Sequence, residues 1–506
     1  MLKKQKIYLL LFILTVILPF IFSLKPIIEG AMPFWNDPAR DLLLAWDNLK
    51  KPTLIGPTSG IPGIFYGPQW IWILSLGLIF SKDPRWVVLL TITIPYFIIF
   101  PYLLWKLSEN LFSRIGVIII WLLFILAYGG YTTQIWSPNL AALFYLIIIY
   151  IFSQTDDLLI NKKILNFFLL GFFHGLLLNH QISFGVGITF AWIIFFFINF
   201  LRCFFDKKKF LTNCVFWIKN LFSFALGFLL IMSPFFIFEL RHGFNQTKSL
   251  IYTLTQGFIH NQAVVSKIGL TKTEILQKSI EPLTVFLSMP KSLSIVLFVF
   301  LTLGSIYYYF ISLNKKTNQN RVIFFLFINY LGVLIIYLTT RNPVWSYHFI
   351  GFEIVYLFLL GFLMKQNKTL EKIILIWSII LLIGATNSFI KSFQNNKAAP
   401  ELMTKKNNAE QIYQDAGRDP FVYLAKNPAI YSYDYDYIFR WLSKKYGYKP
   451  NNFISDEKLI YLIIPYDMKF DRVGFMENRT PEEKYMTIKE WLNPDGSIIV
   501  KRRLKK

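Results

Sequence analysis

Apolar runs recur through the first four-fifths of this chain, at 7–24, 86–105, 115–131, 139–153, 164–179, 183–201, 213–237, 292–312, 322–339, 347–364 and 372–390. A helix that crosses a bilayer needs about 20 such residues. A backbone that enters hydrocarbon must satisfy its own hydrogen bonds, so these runs have to fold as packed helices. Composition agrees: 55% of the residues are hydrophobic and 16% are charged, where a soluble domain carries about 25% charged residues. The 52 Phe, 27 Tyr and 14 Trp residues suit lipid-facing surfaces and interfacial belts. The expected fold class is an all-α polytopic membrane protein with about eleven transmembrane helices.

The opening "MLKKQKIYLLLFILTVILPFIFSL" has a basic start and a spanning run with no small-residue cleavage site, so it reads as an uncleaved first helix. One further run, "GIFYGPQWIWILSLGLIF" at 63–80, is short and contains Pro68 and Gln69. Charge decides its place. If it lies flat at the interface, Lys3, Lys4, Lys6, Lys106, Arg114, Lys162, Lys163, Arg202, Lys207–Lys209, Lys315, Lys316, Arg321, Lys365, Lys368 and Lys372 all fall on the cytoplasmic side. If it spans, every later loop flips and the bias reverses. The expectation is therefore a multi-pass protein of the inner or plasma membrane. Its amino terminus is cytoplasmic, and two large outer loops cover 25–85 and 238–291.

Residues 1–390 are read as the transmembrane domain and 391–506 as a small extracytoplasmic α/β domain. "SFQNNKAAPELMTKKNNAEQ" reads as the linker between them. "VYLA", "KLIYLIIP" and "GSIIVKR" read as strands, and "YDYDYIFRWLSKKYG" as a helix. The "DYD" of Asp434–Asp436 looks like a metal-binding Asp-x-Asp, but neighbours two apart on a helix do not face each other, so it is read as surface.

The net charge of +23 is accounted for by cytoplasmic loops and a basic tail, not by a nucleic-acid partner. Cys203 and Cys214 have no metal-ligand spacing and suggest no disulfide framework. There is no phosphate-binding loop and no dinucleotide fingerprint.

What polar residues there are gather at one set of span ends. Asp37, Arg40 and Asp41 follow the first span. Trp136 and Asn139 sit in "IWSPN", and Asn179, His180 and Gln181 separate two spans. "FELRHGFNQT" brings Glu239, Arg241 and His242, and "RNPVWSYH" brings Arg341, Tyr347 and His348. Each alone, Asp37 excepted, is most simply a solvated interfacial group. Together they imply a polar cavity at one membrane surface, because charge near lipid is expensive unless it is paired or serves a site.

The order of "NDPARDLLLAWDNLKK", "GPTSGIPGIFYGPQWIWI", "WKLSENLFSR", "IWSPN" and "FELRHGFNQT" resembles the GT-C membrane glycosyltransferases. The nearest likeness is to the family 39 branch of protein O-mannosyltransferases and aminoarabinose transferases. It covers roughly residues 1–390. In that family an Asp of the first outer loop is the proposed base, and Asp37 matches it by position, followed here by Pro38 where Glu is common. The aminoarabinose transferases carry Glu-Lys-Pro before an interfacial helix, the Glu helping to bind a metal. The matching stretch here is Tyr66, Gly67, Pro68. No motif requires a metal, and the cofactor is left open.

The resemblance implies a transferase of hexosyl or pentosyl groups. It would take a sugar from a polyprenyl-phosphate carrier and pass it to an acceptor hydroxyl of a protein, lipid or envelope glycan. Asp37 is the expected catalytic base. Arg40, Asp41, Tyr66, His180, Glu239, Arg241, His242, Arg341, Tyr347 and His348 are the expected substrate-binding residues. Asp37 and Asp41 share a helix face, with Arg40 three residues from Asp37; the plain alternative is an amphipathic interfacial helix with a solvated charged face. Two other functions compete. A polyprenyl-lipid transporter needs polar groups near the bilayer midplane, which these spans lack. A lipid-linked oligosaccharide polymerase or ligase typically relies on a large late outer loop.

Overall fold

The computed structural model describes residues 2–505 apart from 60–62, 109, 156–159, 206–209, 257–270, 288–293, 297–298, 300–301, 304–305, 308–317, 340–343, 395–400, 427–430, 455–458, 466–471 and 495. Among the described residues, six helices are long and apolar enough to cross a membrane: Gln5–Glu29, Pro84–Leu107, Arg114–Thr133, Ile182–Leu201, Cys214–Arg241 and Asn320–Thr339. Ser137–Ser153 and Ile164–His180 are apolar but shorter. The protein is a multi-pass membrane protein. The expected span at 292–312 lies largely outside the described residues. The run at 347–364 is α-helical only from Glu353, after a 3₁₀ turn over Ser346–Phe349, because Gly351 adopts a left-handed φ of 93° and ends that turn. A Cβ there would come within 2.7 Å of the Ala141 side chain.

Helix α1 (Leu2–Glu29) stands at the edge of the bundle: only 6% of its most apolar window is buried, against 61% for Pro84–Leu107. Its leucines and isoleucines need a hydrocarbon solvent. Deeper in the bundle, glycine sets the spacing. A Cβ on Gly171 would meet the Phe224 carbonyl oxygen at 1.9 Å, and one on Gly227 would meet that of Phe168 at 1.9 Å. The Ile160–His180 and Phe210–Arg241 helices therefore touch backbone to backbone, the small-residue packing that membrane helices use.

Two short helices follow α1 without entering the bundle as spans. Helix α2 runs Asn36–Asn48 and helix α3 runs Gln69–Phe80. At 12 residues α3 is about 18 Å long, well short of a hydrocarbon core of about 30 Å. The two are pinned together: Asn48 Nδ2 donates to Ser75 Oγ at 2.9 Å, and that hydroxyl donates to the Ala45 carbonyl at 3.0 Å.

Near the carboxyl end lies a four-stranded sheet in the order β1-β2-β4-β3, with β1 Val422–Ala425, β2 Leu459–Ile464, β3 Tyr485–Leu492 and β4 Ile498–Leu504. β1 and β2 are parallel, and the Tyr433–Tyr446 helix forms their crossover; the other pairings are antiparallel. β2 is buried along its whole length, which explains its unbroken apolar sequence. The strand β3 was not expected; it is an edge strand, mostly exposed, and carries no apolar alternation.

Two expectations need correction. Much of the stretch read as a linker is the helix Glu401–Ala416, whose buried Leu402, Ala409, Ile412, Tyr413 and Ala416 keep a helical spacing diluted by Lys and Asn. Asp434 is not a surface residue: it is 4% exposed and paired to Lys405 Nζ at 2.7 Å. Asp436 accepts from the Tyr423 hydroxyl at 2.6 Å and from Asn452 at 3.0 Å. The first turn of the Tyr433–Tyr446 helix turns its acids onto its own domain, so they are used internally.

Candidate active site

Asp37 sits in the first turn of α2, where a carboxylate is favoured by the helix dipole. Its side chain is 46% exposed and its Oδ1 lies 3.1 Å from an Arg40 terminal nitrogen. The same guanidinium turns its Nε and other terminal nitrogen onto Asp41 Oδ1, at 3.0 and 2.9 Å. Asp41 is 2% exposed, and its second oxygen accepts from Trp70 Nε1 of α3 at 2.8 Å. A buried carboxylate thus anchors an arginine, and the arginine holds an accessible carboxylate. Burial pushes the Asp41 carboxyl up to about 6, against the pull of Arg40 and of the Trp70 hydrogen bond. A solvated helix face does not describe Asp41.

Around Asp37 the lining is aromatic. Trp35, the residue before α2, meets Trp136 edge-on at 6.0 Å, and Trp136 meets Tyr347 at 5.7 Å. Burial raises the Tyr347 hydroxyl, and the charge of Asp37 adds to it. Tyr66 is pushed up to about 12 by burial first, then by Tyr347, with Asp41 and Asp37 acting the same way against Arg40. These couplings place Tyr66, Tyr347, Arg40, Asp41 and Asp37 in one electrostatic neighbourhood.

Tyr66 is positioned by a tight backbone passage. Gly56 N–H donates to the Tyr66 carbonyl at 2.7 Å, and Tyr66 N–H to the Pro57 carbonyl at 2.9 Å. The next residue, Gly67, has no room for a side chain: a Cβ would fall 2.2 Å from Asn179 Oδ1 and 2.3 Å from Gln69 Oε1. Gln69 Nε2 then donates to the Ile231 carbonyl at 2.6 Å, tying α3 to the Phe210–Arg241 helix. Pro68 is the N-cap of α3, so Tyr66-Gly67-Pro68 lies immediately before this short helix.

His180 is fully buried one ring away from the cluster, edge-on to Trp70 at 6.0 Å and to Phe144 at 4.9 Å. Its Nδ1 lies 2.8 Å from the Leu176 carbonyl, so Nδ1 carries the proton and Nε2 is a buried acceptor with no partner among the described residues. Gln181, the single residue between two helices, donates to the Tyr347 carbonyl at 2.7 Å. His348 Nδ1 accepts from Trp345 N–H at 3.1 Å, which leaves its Nε2 as donor. Burial pushes His348 down to about 4, so it is neutral near pH 7.

The end of the Phe210–Arg241 helix reaches the same loops. Phe65 N–H donates to Gln246 Oε1 at 2.7 Å, and the Phe65 ring meets Phe238 at 6.2 Å. His242 stacks on Phe238 at 4.0 Å and is exposed, as is Arg241. Glu239 is 1% exposed. Its carboxylate accepts from Gln246 N–H at 3.1 Å, Thr247 N–H at 2.8 Å and Thr247 Oγ1 at 2.6 Å, capping the Asn245–Gln256 helix. Between them Gly243 and Phe244 both take left-handed φ values, 63° and 59°. For Phe244 that costs about 1–2 kcal/mol, and strain of this kind is held where the turn is needed. Arg341 lies outside the described residues.

Among the described residues no three His, Cys, Asp or Glu side chains group as a metal site. A protonated Tyr66 phenol, where aminoarabinose transferases carry Glu, is a poor cation ligand. The donor set does not fit a divalent ion, and no step below uses one.

No family model and no curated protein matches the chain. Solved structures do. An ArnT from Cupriavidus metallidurans in the apo state matches with TM-score 0.60 and 9% identity over 98% of both chains. The same protein bound to undecaprenyl phosphate matches with TM-score 0.54 and 10% identity, again over 98% of both chains. The chain has the GT-C fold. Within that GT-C fold the two short helices α2 and α3, which lie outside the spanning helices, hold Asp37, Asp41 and Trp70 together. Sequence reading did not single out Trp70, because its contact with Asp41 joins residues 29 apart through packing alone. It also missed Trp35 and the carboxyl-terminal Tyr433, whose hydroxyl is coupled to Arg40.

Proposed function

We propose that this protein is an integral membrane glycosyltransferase. It moves a hexosyl or pentosyl group from a polyprenyl-phosphate donor to an acceptor hydroxyl on the extracytoplasmic side, with Asp37 as general base. The observation that carries this is the Asp37–Arg40–Asp41 arrangement at the end of an apolar bundle: an open carboxylate, fixed in direction by a buried ion pair and ringed by aromatic side chains. The likeness to a structure bound to undecaprenyl phosphate supports a polyprenyl-phosphate donor.

The acceptor oxygen attacks the anomeric carbon while its proton passes to the Asp37 carboxylate. The bond from that carbon to the phosphate oxygen breaks, and its electron pair leaves with the polyprenyl phosphate. Such a base contributes typically 10²–10⁴-fold. The departing phosphate needs charge or hydrogen bonds. Arg241 with His242, exposed at the tip of their helix, and Arg341 supply the cations in this scheme. His348 and the Tyr66 and Tyr347 hydroxyls supply neutral donors. Glu239 acts indirectly, by holding the turn that carries Arg241.

The test is sugar transfer by the full chain in native membranes, followed as loss of radiolabelled polyprenyl-phosphate sugar. Asp37→Asn should abolish most of it while donor binding persists. Normal transfer by that variant would remove Asp37 from the role, and a chain that never consumes the donor lipid would remove the reading.

A further inference from the structure

The Tyr433–Tyr446 helix lies against α2, and its residues together with Tyr431 just before it divide into two groups. One group docks the domains. Tyr437 is buried, donates to the Lys82 carbonyl at 2.8 Å, and meets Phe34 and Trp46 at 5.8 and 5.6 Å. Arg440 pairs with Asp47 at 2.6 Å and lies over Trp46 at 4.6 Å. From the preceding helix Lys405 donates to the Phe34 carbonyl at 2.6 Å.

Tyr431 and Tyr433 behave differently. Their rings stack on each other, centroids 5.2 Å apart at 22°, and Tyr431 stays 60% exposed. The pair is nevertheless held in place. Asn36 Nδ2, next in sequence to Asp37, donates to the Tyr431 carbonyl at 2.9 Å. The Tyr433 hydroxyl and the Arg40 guanidinium are within electrostatic reach of each other. Tyr433 is half-buried and packs against the core, while the Tyr431 ring stacked on it is open to solvent near the open carboxylate.

We propose that Tyr431 and Tyr433 form the acceptor subsite, and that the acceptor is a saccharide whose ring lies on this platform. The proposal rests on the glycosyltransferase reading and names its acceptor class. A pyranose face presents C–H groups of slight positive charge, and an aromatic face is negative, so the two attract where both can desolvate. The hydroxyls at the sugar's edge keep water or the phenol groups as partners. A polypeptide acceptor would instead call for main-chain partners, and the exposed Tyr431 ring offers none. With the ring on this platform, one sugar hydroxyl is presented to Asp37. That carboxylate takes its proton as the new glycosidic bond forms and the bond to phosphate breaks.

The experiment uses the full chain in lipid nanodiscs and saturation-transfer NMR. The probes are maltotetraose, cellotetraose and chitotetraose, digalactosyl diacylglycerol embedded in the disc, and a Ser/Thr-rich peptide. Undecaprenyl phosphate binding is measured on the same samples. The expected result is saturation transfer to a saccharide and not to the peptide. It should weaken about tenfold in Tyr431→Ala/Tyr433→Ala and persist in Tyr431→Phe/Tyr433→Phe, with undecaprenyl phosphate bound equally by all. Signal from the glycolipid alone assigns a lipid-borne sugar, and signal from the free oligosaccharides assigns a glycan. Tyr431→Ala alone, at an exposed position, serves if the double variant unfolds. The proposal is overturned if the wild type binds undecaprenyl phosphate but no saccharide, if the alanine variants keep the saccharide signal, or if the peptide takes its place. Failure to bind undecaprenyl phosphate at all overturns the transferase reading, and the proposal with it.

Discussion

Two polar groupings flank the Tyr66 loop, and they are built in opposite ways. At α2 the charges are closed in on themselves: Arg40 is shared between Asp37 and a fully buried Asp41, which is held in turn by Trp70. At the tip of the Phe210–Arg241 helix the buried acid, Glu239, is spent on backbone donors, and the cation beside it is exposed. Preorganised charge is what a proton-transfer step needs, because nothing has to reorganise when the charge moves. An exposed arginine on a strained turn is what a mobile lipid phosphate needs, because the anion itself completes the pairing. In the proposed function the first grouping serves chemistry and the second capture. Substitutions should separate the two.

The largest effect is expected at Asp37. Asp37→Asn keeps the shape and a hydrogen bond to Arg40 but cannot accept a proton. Turnover should fall by about 10²–10⁴ with donor affinity unchanged. Single-turnover rates and lipid-donor binding on one preparation check it. A variant that lost donor binding as well would merge the two groupings into one.

Arg241→Ala should show the reverse pattern. Donor affinity should weaken by about ten- to a hundredfold, the value of charged hydrogen bonds, while the rate at saturating donor changes little. Thermal stability should hold, since the guanidinium is exposed. A lower saturated rate with normal donor affinity would place Arg241 in the chemical step instead.

These contrasts were unequally visible in the sequence. The Asp37–Arg40 pair was legible, because three residues on a helix make neighbours whatever the tertiary fold. The gathering of polar span ends was legible from the charge of the loops between them. The burial of Asp41 was not: it depends on Trp70, a residue of α3, and a helical wheel of α2 shows Asp37 and Asp41 as equals. Glu239 read as a site acid because the sequence does not reveal that a new helix starts at Asn245 and takes its carboxylate as a cap. Asp434 needed its pairing with Lys405, 29 residues away in the carboxyl-terminal domain, and Tyr433 needed the docking of that domain on α2, a contact across about 400 residues that has no local pattern.

A smaller effect follows from the pH behaviour of Asp41. Its folded-state carboxyl titrates near 6, above its ordinary value of 3.8. Its protonated form therefore adds stability that is complete below pH 3.8 and is lost as pH rises through about 6. Activity should run the other way. Protonation removes one of the two charges that hold Arg40, so turnover should decline as pH falls through about 6. Asp41→Asn should lack that inflection and lose about tenfold at neutral pH, the value of one charged hydrogen bond. An unchanged inflection in the variant would assign it to another group.

The smallest effect is expected nearly two turns beyond Asp41 on α2. Asp47 is 65% exposed, and its partner Arg440 also rests on Trp46, so the guanidinium keeps a contact when the carboxylate is removed. Exposed pairs of this kind contribute about 0.2–1 kcal/mol. Asp47→Asn should lower the unfolding midpoint slightly, with the difference shrinking in high salt as screening takes over. Turnover and donor affinity should stay within about twofold, because no charge in the Asp37 cluster depends on this pair. Three acids on one helix would then have three separate roles, set by what the rest of the fold places beside each: an open site for Asp37, Trp70 for Asp41, and a docking arginine for Asp47. A loss at Asp47 as large as that at Asp37 would mean that seating of the carboxyl-terminal domain controls the reaction, and the chemistry could no longer be located in the first turn of α2.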